Sequence, residues 1–295
     1  MQRKQNVLGI DVGSTNIKSG WISEGEIKDF KSVRINPDGV ISEVIEVIKS
    51  YELNSDYIIG VGFPGFICNG RVHSPPNLPS VHELDLQEKL REETNRAVYI
   101  FNDADAYILG EALYGAGKGN RIVVGLTLGT GVGGGFVIDG KVYTGSRGFA
   151  SEYGHMTIDP DGPLCHCGKK GCLEAFVGSY GITGRYKSLS GEDLTVKEIF
   201  DKAQKNEETA LKVVNEFGFY LSIGIKNIVE ALDPDIVVLG GGVTKAGDII
   251  IDLIESNQSF SSSRPFEDVH IAIGKLPDKA GAIGAATWAN MKHHR

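Results

Sequence analysis

The sequence predicts an α/β protein built from two similar halves. Short apolar strands alternate with helices along its 295 residues, the pattern of α/β folds. Two glycine-rich stretches also read alike, "IDVGSTNIKSGWISEGEI" (10–27) and "LTLGTGVGGGFVIDGKV" (126–142). Each is an apolar strand, a Gly with a hydroxyl residue, a second strand, a Glu-Gly or Asp-Gly turn, then a third strand. Gly13 aligns with Gly129, and Gly25 with Gly140 once one gap is allowed. An internal repeat of this kind points to a duplicated domain.

The elements follow in order. Ile41, Val44, Ile48 and Tyr51 keep helical spacing, and "YIIGVG" (57–62) reads as a strand. Leu86 and Leu90 suit a helix, and "VYIF" (98–101) a strand. A helix is expected from Asp103 to about Ala116, then the strand "RIVVGLTL" (121–128). Leu211, Val214, Phe217, Leu221, Ile225, Ile228 and Leu232 step by three or four, which predicts one long amphipathic helix. The strand "DIVVLGGGV" (235–243), a helix, the strand "VHIAI" (269–273) and a last helix from about Ala280 close the chain. "SLSGED" (188–193) and "SNQSFSSSRP" (256–265) are loop-like, and neither is long enough for an interdomain linker.

Composition narrows the function. A hydrophobic content of 41% supports a sizeable core, and a net charge of −8 argues against a nucleic-acid face. There is no run of 18 apolar residues and no leader-like h-region, so no membrane partner and a cytoplasmic location are expected. Cys165, Cys167 and Cys172 cluster while Cys68 stands apart, which suits a metal in a reducing compartment better than disulfides.

A hairpin turning on Gly13 with Ser14 and Thr15 lets backbone N–H groups approach a phosphate. Asp11 beside them suggests Mg²⁺. Gly129, Thr130 and Gly131 form a second such loop, and Gly240 and Gly241 a third at a strand's end. None has the Rossmann or Walker spacing. Together these motifs resemble the ROK family, within the actin/hexokinase/Hsp70-like ATPases, over essentially the whole chain. The family's DxGxT motif is matched by Asp11-Val12-Gly13-Ser14-Thr15, its second phosphate motif by "LGTGVGGG" and its adenosine-side motif by "LGGGV". The resemblance implies a two-lobed fold of duplicated ribonuclease-H-like domains with an active-site cleft between them. It implies a small lobe over 1–116, a larger lobe over 117–280, and a C-terminal helix (281–295) packing back on the small lobe. Mg²⁺ and ATP would lie with their phosphates on 13–15 and 129–131 and the adenosine near Gly240 and Gly241.

"FNDADAYILGE" (101–111) places Asn102 and Asp103 where a strand gives way to a helix. Asp103 is a good N-cap there. It is equally suited to receive the proton of an attacking hydroxyl, the group that phosphoryl transfer requires beside positioning. The family resemblance implies the second role. Relatives read Asn-Asp-Ala-Asn here, so Asp105 is a departure, two residues on and facing away from Asp103. The same resemblance makes Gly65, Asn77, Asn102, Glu152, His155 and Glu174 contacts of a sugar. Ser80, Val81 and His82 stand where many relatives continue with Gly-Trp.

Cys165, Cys167, Cys172 and His155 form a Cys₃His set suited to tetrahedral Zn²⁺, and "CHCGKKGCLE" resembles the family signature CxCGxxGCxE. His166 is a rival ligand, but it lies between two cysteines that must both turn inward. Four protein ligands leave no open position, so the zinc is expected to be structural. If His155 binds it through one ring nitrogen, the other can meet a sugar hydroxyl. The resemblance then implies ATP-dependent phosphorylation of a hexose, glucose at the 6-hydroxyl being the first expectation. N-acetylmannosamine, N-acetylglucosamine, fructose, mannose and allose are alternatives, and polyphosphate is an alternative donor. A sugar-sensing regulator is disfavoured because only nine residues precede Ile10, too few for a DNA-binding helix-turn-helix. A homodimer or tetramer is also implied.

Overall fold

Two five-stranded sheets share one strand order. The structure, a computed structural model, describes residues 6–23, 25–36, 39–51, 57–73, 78, 81–257, 269–276 and 278–294. In the first sheet the strands are β1 (Asn6–Val12), β2 (Asn16–Ser23), β3 (Glu26–Arg34), β4 (Tyr57–Phe63) and β8 (Ala97–Asn102), ordered β3-β2-β1-β4-β8. In the second they are β9 (Ile122–Leu128), β10 (Val132–Ile138), β11 (Lys141–Val142), β12 (Ile236–Gly240) and β13 (His270–Ile273), ordered β11-β10-β9-β12-β13. Each sheet thus takes its first three strands as an antiparallel meander and adds the next two in parallel beside the first. This repeat of topology is what the paired glycine hairpins led one to expect. A small sheet of β5 (Ile67–Cys68), β6 (Arg71–Val72) and β7 (Leu84–Asp85) follows β4.

The chain separates into two compact units. The first comprises Met1–Arg121, Gly135–Ala150 and Lys275–Arg295, and the second Ile122–Gly134 and Ser151–Gly274. In the first, α1 (Val40–Lys49) and α2 (Leu86–Thr94) cover one face of the sheet, with Leu8, Ile10, Ile59, Val61, Ile48 and Leu90 in the core. On the other face lie α3 (Asp103–Tyr114) and the C-terminal helix α9 (Ala280–His293). The α9 sequence "AGAIGAATWANMKH" is rich in small residues, and the register sets Gly9 of β1 opposite Gly60 of β4. Side chains at these two glycines would run into the backbone of Ala282 and Ala285. Gly284 of α9 meets the carbonyl of Ala106 of α3 in the same way, and Gly110 of α3 meets Ala280. Helix and sheet therefore touch backbone to backbone, an approach that any larger side chain forbids.

The second unit is mostly helical after β9 and the start of β10. Its spine is α7 (Glu208–Leu232), the expected long amphipathic helix, capped by the Glu207 carboxylate on the N–H groups of Thr209 and Ala210. Against it pack α4 (Leu173–Val177), α5 (Ser179–Ser190), α6 (Val196–Gln204) and α8 (Ile249–Glu255). Two expected boundaries shift. The strand read as 235–243 ends at Gly240, where the chain turns sharply through Gly241. Ser188–Ser190, read as loop, complete α5, which stops at Gly191 in the left-handed region. The loop read at 256–265 falls largely outside the described residues.

Gly284→Ala should be destabilising although alanine is the better helix former, because its methyl group has only backbone to displace. A loss of about 1–3 kcal/mol is expected, read as a lower thermal midpoint by circular dichroism. An unchanged midpoint would mean that α9 does not pack this closely.

Candidate active site

In the first unit the β1–β2 hairpin closes on itself, the Gly13 N–H donating to the carbonyl of Asn16 at 3.0 Å. Ser14 and Thr15 stand exposed at its tip, their hydroxyls 3.5 Å apart. Asp11, at the end of β1, lies against Gly281 of α9, where a side chain would strike its carboxylate. Burial pushes the Asp11 carboxyl up to about 7; Lys18 opposes the shift, while Asp103 and Asp278 add to it. Such a crowded acid fits a divalent cation brought in with a nucleotide, whose charge would relieve it.

The N-cap of α3 is Asn102, not Asp103. Its side-chain oxygen accepts the N–H of Asp105 at 3.0 Å, while its amide donates to the carbonyl of Gly65 at 3.1 Å. Gly65 is in the left-handed region at φ 102°. Asp103 is thereby the first helical residue, and the capping role that competes with a chemical one passes to its neighbour. Structure thus brings together Asp11, Gly65, Asn102 and Asp103. Asp105 is buried, at 5% exposure. Asn77 and Ser80 lie outside the described residues.

In the second unit the β9–β10 turn is held from outside. Gly129 donates to the carbonyl of Gly131 at 2.9 Å, and its own carbonyl accepts both the N–H and the hydroxyl of Ser179, at 2.9 and 2.7 Å. Glu174, on α4, is buried, and one oxygen accepts the N–H of Val132 at 2.9 Å. Its other oxygen is 3.5 Å from Cys165 Sγ and 3.4 Å from the Tyr180 hydroxyl. Gly131 lies so close to Glu174 that a side chain there would meet the carboxylate. Gly241 has φ 91° and lies against the backbone of Leu128, so its glycine is required twice over.

The four expected metal ligands converge. Ligand atoms of His155, Cys165, Cys167 and Cys172 all lie within 4.8 Å of one another. Cys165 Sγ is 3.8 Å from His155 Nδ1, and Cys167 Sγ is 3.6 Å from Cys172 Sγ. Ligands about 2.3 Å from a tetrahedral zinc stand ~3.8 Å apart, so the set fits that ion. His166 instead stacks on Tyr180, with ring centroids 3.9 Å apart. Burial, helped by the thiols of Cys167 and Cys165, pushes Cys172 up to about 12, so the ligand set would bind metal with release of protons. Glu152 sits three residues before His155. Desolvation raises its carboxyl to about 7, with the charge of Glu174 adding.

Sequence reasoning missed Ser179, fifty residues from the Gly129 carbonyl it holds, and Tyr180, which meets Glu174, Cys165 and His166. It also missed Ser151, a non-glycine residue at φ 67° that turns the chain into Glu152. Such a conformation costs roughly 1 kcal/mol, a strain met at functional sites. No local pattern announces any of the three.

The ROK family profile matches residues 7–292, and the chain belongs to that family. It is 36% identical to a glucokinase of Halalkalibacterium halodurans over 94% of this chain and 92% of that protein. It is 31% identical to an N-acetylmannosamine kinase of Haemophilus influenzae over 95% of this chain and 94% of that one. Among solved structures, a ROK family glucokinase of Streptomyces griseus, described in complex with glucose and AMPPNP, superposes with a TM-score of 0.86. That match covers 97% of this chain and 99% of the other at 27% identity. The enzyme class so defined is an ATP-dependent sugar kinase. Among the described residues no helix is long and apolar enough to cross a membrane.

The raised Glu152 carboxyl has a consequence for stability. Between about pH 4.5 and 7 the folded chain keeps a proton that the unfolded chain has released, so this group's contribution falls as pH rises. Glu152→Gln should therefore gain about 1–3 kcal/mol relative to the parent between pH 5 and 8, measured by urea unfolding. A difference that stays constant with pH would contradict the burial of this acid.

Proposed function

We propose that this chain transfers the γ-phosphoryl group of ATP to the 6-hydroxyl of a hexose, glucose first among them, with Asp103 as the general base. The observation that carries the reading is the division of labour at the start of α3. Asn102 does the capping, and Asp103 stands beside Asp11, the acid of the phosphate hairpin. Phosphoryl transfer asks little covalent chemistry of a protein beyond positioning and charge stabilisation. Backbone N–H groups at 13–15 and 129–131 would receive phosphate oxygens, and Gly240 and Gly241 would admit the adenosine. Asp11 would hold the nucleotide's Mg²⁺, which when bound supplies charge neutralisation at the phosphates. Asp103 receives the proton of the attacking hydroxyl as its oxygen bonds to the γ-phosphorus and the bond from that phosphorus to the bridging oxygen breaks, releasing ADP.

The sugar would be held by Gly65, Asn77, Asn102, Glu152 and His155, whose mixed donors and acceptors suit a polyol. His155 presents Nδ1 toward Cys165, leaving Nε2 for a sugar hydroxyl. Glu174 is already engaged on Val132, so its share in sugar binding would run through the oxygen beside Tyr180. The zinc, held by His155, Cys165, Cys167 and Cys172, would fix the orientation of the histidine. An N-acetylhexosamine is the second reading of the substrate, supported by the similarity to an N-acetylmannosamine kinase at nearly the same coverage.

Asp103→Asn should lower kcat by at least about a thousandfold, the upper range for loss of a general base with its charge. Sugar affinity, measured by calorimetry, should stay within a few-fold. A coupled assay over glucose, mannose, fructose, allose and the N-acetylhexosamines, with Mg·ATP and with polyphosphate, ranks the substrates. Full turnover by Asp103→Asn would remove it as the base; no turnover of any sugar by the parent chain would remove the kinase reading.

A further inference from the structure

We infer that Glu111 is a positioning residue for Asp11, holding the first turn of α9 against the acid that would take the nucleotide's Mg²⁺. The inference rests on the kinase reading of the first hairpin and adds to it a residue outside that hairpin. Asp103, Tyr107 and Glu111 recur every four residues along α3, which puts them on one stripe of the helix. Glu111 is fully buried. A carboxylate taken out of water is costly unless its oxygens find donors. Here the donors are backbone groups. One oxygen accepts the N–H groups of Ala116 and Lys275 at 2.8 and 2.9 Å, and the other accepts that of Leu276 at 2.6 Å. The Tyr107 hydroxyl hydrogen-bonds to the same carboxylate.

These bonds tie together two stretches far apart in the chain. Ala116 follows the end of α3, and Lys275 is where the chain re-enters the first unit after β13. The link to Asp11 runs through the second stretch. The carbonyl of Leu276 accepts the N–H groups of Lys279 and Ala280 at 3.0 and 2.8 Å, so holding Leu276 holds the start of α9. Lys279, at the N-cap of that helix, makes no capping bond with its own side chain. One residue past Ala280 is Gly281, where the Asp11 carboxylate fills the space a side chain would take. Tyr107 feels the charges of Glu111, Asp11 and Asp278 together, which places the clamp and the acids beside one ring.

A carboxylate is the group this clamp requires. Its two oxygens only accept, so together they can take three N–H groups, whereas an amide offers one oxygen and turns its own N–H groups on the rest. Gly115 leaves room for it, since a side chain there would strike the Glu111 carboxylate. Packing of Gly110 on Ala280 already joins α3 to α9. What the carboxylate adds is a satisfied polar network, which fixes one arrangement where small residues alone could slide. Mg²⁺ makes that precision matter, because it demands near-ideal octahedral geometry. Groups that orient a metal's ligands without touching the metal are typically worth about 10–100-fold in its affinity.

Calorimetric titration of the whole chain with ADP, with and without Mg²⁺, tests this beside steady-state kinetics. Glu111→Gln should weaken Mg·ADP binding by about tenfold. ADP without Mg²⁺, and the best sugar of the substrate panel, should bind within about twofold of the parent, a split that general loss of structure would not produce. The Mg²⁺ concentration giving half the maximal rate should rise by about the same tenfold, and kcat should recover at saturating Mg²⁺. In an Asp11→Asn background Glu111→Gln should leave the Mg²⁺ dependence unchanged, because the group it positions is gone. Should Glu111→Gln fail to fold, Tyr107→Phe removes one bond to the carboxylate and should show the same split at about two- to fivefold. If the variant weakens ADP equally with and without Mg²⁺, or leaves Mg·ADP binding intact while lowering the thermal midpoint, Glu111 is only structural and the inference falls while the kinase reading stands. If the parent chain binds no Mg·ADP, both fall together.

Discussion

Three thiols and one imidazole nitrogen drawn within 4.8 Å of one another are the constraint on which the second unit depends. Burial makes the Cys172 thiol hard to ionise, and the neighbouring thiols add to that. A metal reverses that cost, since thiolates and a neutral imidazole are its natural ligands. The consequence reaches past the loop. Cys172 is followed by α4, and Glu174 on that helix takes the N–H of Val132. The next helix begins with Ser179, which grips the carbonyl of Gly129 with two bonds. Whatever fixes the cysteine loop therefore fixes both sides of the β9–β10 turn. Glu152 and His155, at the loop's start, are tethered by the same ligands.

The first unit reaches a comparable result by packing alone. Paired glycines on β1 and β4 and small residues on α9 and α3 let backbones touch. Asp11 lies beside that contact, against Gly281, and desolvation raises its carboxyl to about 7. An acid so placed is unfavourable in isolation and favourable beside a bound cation. The requirement for glycine at these positions is steric.

Much of this was legible in the sequence, and the limits were physical. The glycine hairpins, the cysteine spacing and the long helix are local patterns, and local patterns survive without a structure. The shared strand order followed from the hairpin repeat. Asn102 and Asp103 illustrate the opposite case. Both are good caps, and what selects Asn102 is the carbonyl of Gly65, more than thirty residues earlier in the chain. Glu174 reads as a sugar ligand from its motif, and nothing in that motif announces the backbone N–H of Val132, on β10, that it accepts. Ser151 carries no mark of its left-handed backbone, since serine is not a residue that advertises one. Contacts across long separations, and strain in an ordinary residue, were where sequence patterns ran out.

A zinc ion held by His155, Cys165, Cys167 and Cys172 would brace the site and take no part in its chemistry. X-ray absorption at the zinc edge, on the protein with and without saturating sugar, addresses it directly. Three sulfurs at about 2.3 Å and one nitrogen at about 2.0 Å are expected, with the same shell in both states. An oxygen among the ligands, or a shell that changes when the sugar binds, would contradict a closed and purely bracing site.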